Sequence, residues 1–206
     1  MSKKEAPITR LQDFLPDGTF YPVVQYLNSF SVHLTVARER KSILGDYRHR
    51  TRDQMHRISV NGNLNKYAFL ITLLHELAHL LTFERFGNKV SSHGREWKSI
   101  FGKLLAQFID HNVFPADIQQ ALLKSLHDPA ASSCADVHLL RVLKNYDAKK
   151  SHLVFVETIP EGDLFKTHDG KVFLKGERIR KRFRCVEVAT KKVYLFSPVY
   201  EAEKLA

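Results

Sequence analysis

Apolar positions recur at helical spacing from the start of the chain: Ile8, Leu11 and Phe14, then Phe20, Val23, Val24 and Leu27, with Pro16-Asp17-Gly18 between them. Pro-Asp-Gly is turn chemistry, so this pattern predicts two short helices, the second over residues 19–30. The period then drops to two. Val32, Leu34 and Val36 share one face, and residues 43–47 and 58–60 follow, which predicts three short strands. Asn61-Gly62 is a turn signal. From Asn65 the pattern becomes a long apolar-rich helix over residues 66 to about 85, closed by Gly87-Asn88. A second helix, with Ser91-Ser92 as its expected cap, carries Trp97, Ile100, Phe101, Leu104, Leu105 and Phe108 at three-four spacing. A third follows Pro115, over residues 116–127.

The remainder reads differently. Asp128-Pro129-Ala130-Ala131-Ser132-Ser133 is small and polar and is the expected hinge, with residues 136–146 a connecting helix. Beyond Lys150 the pattern is of short strands, at 153–156, 171–175, 178–188 and 193–196, broken by Pro160, Gly162, Gly170 and Gly176. The expectation is an α+β chain: a compact domain over residues 1–128, a linker with its helix over 129–150, and a small β-rich unit over 151–206.

Composition narrows the class. Hydrophobic residues make up 44% and charged residues 26% of the 206 positions, the proportions of an ordinary globular protein. The first residues are basic but lack an apolar stretch behind them, so no secretory signal is read. The longest apolar run, residues 67–74, falls far short of the roughly 20 residues a bilayer requires. Cys134 and Cys185 have no second cysteine near them, which excludes a disulfide framework and fits idle thiols in a cytoplasm. A net charge of +10, densest after Arg141, favours an anionic partner such as nucleic acid.

The long helix carries His75-Glu76-Leu77-Ala78-His79. Residues four apart lie on one helical face a turn from each other. Two imidazoles can therefore reach one ion while Glu76 reaches a water beside it. That geometry suits Zn2+ hydrolysis of a peptide bond, with Glu76 as general base. With 11 histidines in the chain, such a pattern arises by chance only roughly 0.03 times. Its apolar helical surroundings would also make an unpartnered polar pair costly.

A catalytic zinc site needs a third protein ligand. The extended pattern that places Gly at 82 and His at 85 is excluded, because Thr82 and Arg85 stand there. His93, in His93-Gly94-Arg95-Glu96-Trp97, follows a loop long enough to turn back toward the first helix and is the expected ligand. Glu96, one turn further, is the competing candidate. The other histidines show no ligand spacing, and Trp97 is expected to fill the core beside the metal helix.

The paired segments 75–79 and 93–97 resemble those of the SprT-like metallopeptidase family, which includes Spartan-type proteases, whose third ligand lies in an H-G-x-E-[FW] segment. Arg40-Lys41-Ser42-Ile43-Leu44-Gly45 ahead of Ile58-Ser59-Val60-Asn61 resembles the family's strand region. The likeness covers about residues 20–110. It implies a compact zincin-like domain with few strands and a shallow site, and, for Spartan-like members, cleavage of proteins attached to DNA. Bacterial members often end in a zinc ribbon with four cysteines. Here Cys185 stands alone in the tail, so that unit is expected to hold itself together by packing.

Residues 175–184 add a basic run. Read as one strand, they put Arg178, Arg180, Arg182 and Arg184 on a single face, a stripe that can follow a phosphate backbone or simply be solvated. A second basic cluster, around Arg38 to Arg57, is interleaved with Glu39, Asp46 and Asp53 and carries less. The leading expectation is a zinc peptidase acting on protein substrates, with DNA or nucleoprotein as partner and no membrane. The alternative is a nucleic-acid-binding or stress- or transcription-linked protein whose zinc is structural. Oligomeric state does not follow from the sequence.

Overall fold

The computed structural model describes residues 6–40, 43–126, 136–147 and 152–205. The chain divides into two compact units between Asp147 and Ala148. The expected hinge at 128–133, His127 and Cys134 lie outside the described residues.

In the first unit a 3-10 helix over Ile8–Phe14 leads through the Pro16 turn into helix α1, Phe20–Ser29. Strands β1 (Val32–Ala37), β2 (Gly45–Arg48) and β3 (His56–Asn61) follow. They form a sheet of order β1-β3-β2 in which β1 runs parallel to β3 and β2 antiparallel to it. The pairing Leu34 with Ile58 and Val36 with Val60 puts the period-two apolar residues in register. Ile58 and Val60 are buried and so face the core.

Helix α2, Lys66–Phe86, is the centre of this unit. It is buried around its whole circumference between Phe69 and Ala78, polar Thr72, His75 and Glu76 included, as in a helix packed on all sides. Asn65 caps it by accepting a hydrogen bond from the Ala68 amide at 2.9 Å. The same side chain donates to Leu143 O and to Asp147 Oδ1, both at 2.9 Å. At the other end Gly87 takes a left-handed φ of +60°, a conformation that costs glycine little.

Helix α3, Arg95–Asp110, packs on α2 through Trp97, Phe101, Leu104, Leu105 and Phe108, all buried. It starts later than the Ser91-Ser92 signal indicates. Gly94 is its N-cap, and His93 therefore lies just outside the helix, in the loop. Helix α4, Ala116–Ser125, is followed by α5, Val137–Lys144, whose Leu139 and Leu143 join the same hydrophobic core. The segment expected as a connecting helix is thus a packed part of the first unit.

The second unit is a single six-stranded antiparallel sheet, with two short strands beyond those expected. Its strands are β4 (Leu153–Phe155), β5 (Leu164–Lys166), β6 (Val172–Ile179), β7 (Arg182–Glu187), β8 (Val193–Phe196) and β9 (Glu201–Lys204). Their order is β4-β9-β5-β6-β7-β8. A core of Val156, Ile159, Phe165, Phe173, Cys185 and Ala202 holds it. No helix among the described residues is long and apolar enough to cross a membrane.

The strand expected over residues 178–188 is two strands joined by a tight turn. Arg180 has a φ of +53°, and the chain reverses between Ile179 and Arg182. Arg178 pairs with Phe183, so it lies on the opposite face from Arg182 and Arg184, while Arg180 sits in the turn. The four arginines are exposed but do not make one stripe.

Candidate metal centre

His75 and His79 project from the middle of α2, and the loop after Gly87 returns His93 to them. His75 Nε2 lies 3.2 Å from His79 Nε2 and 3.3 Å from His93 Nε2. Three nitrogens bound to one tetrahedral zinc at about 2.0–2.1 Å lie roughly 3.3–3.4 Å apart, so the donor atoms fit such an ion. These three histidines are the only group of this kind among the described residues. Glu96 is not in it. It stands in the first turn of α3 and lines a separate groove with Tyr26 and Arg85.

Trp97 supports the cluster. Its fully buried ring lies 4.7 Å from those of His75 and His93 and 5.3 Å from that of His79, measured between centroids. It fills the core, as its spacing predicts, and at the same site it fixes where the imidazoles stand.

Burial and mutual proximity tune the donors. Desolvation, with the neighbouring imidazoles, pulls His75 down to about 3, and His79 to about 4. His93 is also lowered, by burial alone. Desolvation disfavours the charged form, so each ring is held neutral with a lone pair free for a cation. A buried cluster of neutral imidazoles facing one another nitrogen to nitrogen is what a metal site requires and what a hydrogen-bonded core histidine does not.

Glu76 is 6% exposed. Burial, with a smaller contribution from Asp46 and an opposing one from Arg40, raises its carboxyl to about 8. It sits at the floor of a cleft of about 580 Å3 bounded by α2, by β2 and by the loop that carries His93. The cleft wall opposite α2 is made by Leu44, Gly45, Asp46 and Tyr47.

Two features of that wall escape sequence reading. Asn61, taken as part of a turn signal, is 1% exposed at the end of β3. Its amide donates to Arg40 O at 3.0 Å and Ile43 O at 3.1 Å, and its Oδ1 accepts from Arg40 Nε at 2.8 Å. Arg40 Nη1 also donates to Ser59 Oγ at 2.9 Å. These bonds pin the segment that delivers β2 to the cleft. Tyr47, whose ring lies parallel to that of His79, exchanges a 2.9 Å hydrogen bond with His56 Nδ1, and His56 Nε2 lies 3.3 Å from Glu84 Oε1. Burial pushes the Tyr47 hydroxyl well above the ordinary tyrosine range, so it stays protonated. An isolated polar residue in a strand gives no signal of such partners.

The arginines 178, 180, 182 and 184 belong to the second unit, where Arg184 Nη1 lies 3.9 Å from Glu177 Oε1. Comparison with family models gives a match over residues 16–119, described as the SprT-like family. Comparisons with curated proteins and with solved structures return no match.

Proposed function

Since the chain belongs to the SprT-like family, a family with metallopeptidase-like function, we propose that it is a zinc-dependent peptidase of the zincin type. His75, His79 and His93 hold the ion and Glu76 handles the proton. The observation that carries the reading is the convergence of three Nε2 atoms beside a buried carboxylate in one open cleft.

Held by His75, His79 and His93, a zinc ion would supply Lewis acidity toward a water and a peptide carbonyl. The protein's own groups do the rest. Glu76 follows His75 directly on α2 and is desolvated, so its carboxylate is a stronger base than one in water. It takes a proton from the attacking water and returns it to the leaving amine. Strand β2 is an edge strand of its sheet and borders the cleft. Edge main-chain groups are open to pairing with an extended polypeptide, which supports a protein rather than a small molecule as substrate. The basic surplus of the chain supports proteins associated with nucleic acid as the targets, with the exposed arginines at 178–184, on the two faces and the turn of one hairpin, as candidate contacts.

The reading is tested by measuring metal content and cleavage on wild type and Glu76→Gln together. About one zinc per chain in both, with cleavage of an unfolded protein lower by about 10²–10⁴-fold in the variant, is the expected result. Equal cleavage by both would remove Glu76 from the mechanism. Equal zinc with no cleavage by either, under conditions that include DNA, would favour a structural site.

A further inference from the structure

Helix α2 carries two buried threonines whose hydroxyls are treated differently. Thr82 donates to Ala78 O at 2.7 Å, the usual bond of a mid-helix hydroxyl to the carbonyl one turn back. Thr72 is 3% exposed and lines the cleft, yet its Oγ1 has no hydrogen-bond partner among the described residues. A buried hydroxyl without a partner lowers stability, and an apolar group of the same shape would not. A hydroxyl at position 72 therefore serves the cleft better than it serves the fold.

Its neighbour in the cleft is Glu76. Residues 72 and 76 stand one turn apart on one face of α2, and a helical side chain leans back over the turn before it. The two also meet at one point outside the helix. A β-carbon at Gly45 of β2 would lie 2.8 Å from Thr72 Cγ2 and would press on the Glu76 carboxylate as well. The Thr72 methyl thus stands beside the carboxylate already. One staggered step of χ1 puts the hydroxyl where the methyl stands.

Glu76 has the matching need. Its carboxyl is buried and accepts no hydrogen bond among the described residues. Arg40, whose field reaches it, has its guanidinium engaged by Asn61, Ser59 and Leu44 O. A carboxyl that takes up a proton and gives it back within one turnover needs a partner suited to both forms. A hydroxyl is such a partner, since it donates to a carboxylate and accepts from a carboxylic acid. A lysine or arginine only donates, and would hold the charged form and weaken the base.

We propose that Thr72 is a positioning residue for Glu76, its hydroxyl holding one carboxyl oxygen while the other faces the water to be activated. The backbone of Gly45 then limits the carboxyl on one side and Thr72 directs it from below. This deepens the peptidase reading and rests on it.

Full-length wild type, Thr72→Val, Thr72→Ser and Glu76→Gln, each loaded with zinc, are compared on one unfolded protein substrate. Valine keeps the shape of threonine and removes the hydroxyl. Thr72→Val should lower kcat about tenfold, as a small displacement of the carboxyl would, with KM within about twofold of wild type. Thr72→Ser, which keeps the hydroxyl, should recover most of the rate. Zinc content should be equal in all four, and the urea midpoint of metal-free Thr72→Val should match or exceed that of wild type, because no bond of the fold is lost. Native kcat in Thr72→Val beside an inactive Glu76→Gln overturns the assignment and leaves the peptidase reading standing. Native rates in both variants overturn the two together. Weaker zinc binding by Thr72→Val at unchanged kcat also overturns it, because the hydroxyl would then serve His75 Nδ1, likewise buried without a partner and three residues along α2.

Discussion

Gly45 and Glu76 are in such close contact that a β-carbon at position 45 would strike the Glu76 carboxylate at Oε1 and stand 2.8 Å from Thr72 Cγ2. The backbone of β2 is thus the wall against which the carboxylate rests. Only glycine leaves room for both. Gly45→Ala should retain zinc, because the atoms nearest the new methyl belong to Glu76 and Thr72. It should lose cleavage sharply, because a displacement of about 1 Å can cost on the order of 10²-fold. Zinc content and kcat/KM measured together check this. A variant with native activity would mean that the carboxylate does not need its wall.

Zinc retention against pH should distinguish the buried cluster from surface histidines. In the metal-free protein His75 and His79 take up protons only near about 3 and 4, and His93 below its ordinary range. Protons compete with the ion only where they bind the ligands. Lowered ligand values therefore move the loss of zinc toward acid. Half-saturation should stay nearly flat from about pH 7.5 to well below 6.5 and rise steeply only as the pH approaches the values of His79 and His75, whereas ordinary imidazoles would begin to lose metal near 6.5. His93→Ala should abolish stoichiometric zinc throughout. Competition with a colorimetric chelator reads both.

Asn61→Ala should act at a distance. It removes the donor to Arg40 O and Ile43 O and the acceptor for Arg40, leaving polar groups beneath the cleft wall unsatisfied. A cost of about 2–3 kcal/mol in chemical unfolding is expected. Activity should fall while zinc is kept, and added glycerol or another excluded osmolyte should recover part of it.

Lys175 is 5% exposed in the second unit. Its ammonium donates to the carbonyls of Ile159 and Glu157 and lies 4.2 Å from the centre of the Phe183 ring. Burial pushes it below the ordinary lysine range, but these oxygens still solvate the charge. Lys175→Met keeps the stem and orphans both carbonyls. It should destabilise the sheet by about 1.5–3 kcal/mol, read as an earlier urea transition, with zinc binding unchanged.

The metal helix was legible because its signal is local. His75, Glu76 and His79 lie within one and a half turns, Asn65 marks the start and Gly87 the end. His93 was legible through the segment that follows it. The sheet's pairing was not. Nothing in the sequence indicates that β1 lies parallel to β3 with β2 outside, since that order depends on which faces α2 covers. The break at Arg180 was hidden because the turn uses Arg180-Lys181 instead of glycine, asparagine or proline, so the alternating pattern ran through it. Strands β5 and β9 are short, and Glu201-Ala202-Glu203-Lys204 has no β-branched residue. They are strands because neighbouring edges supply their hydrogen bonds.

That placement of β9 governs the order in which the second unit can be made. Residues 201–204 pair with β4 on one side and β5 on the other, joining the first strand of the sheet to the rest. During synthesis the residues of β4 emerge about fifty positions ahead of their only neighbour and must wait for it, while β5–β8 can zip up as consecutive antiparallel neighbours. A ribosome that stalls before Glu201, or a protease that clips there, would release a sheet with an open seam between β4 and β5 and Ala202 missing from its core.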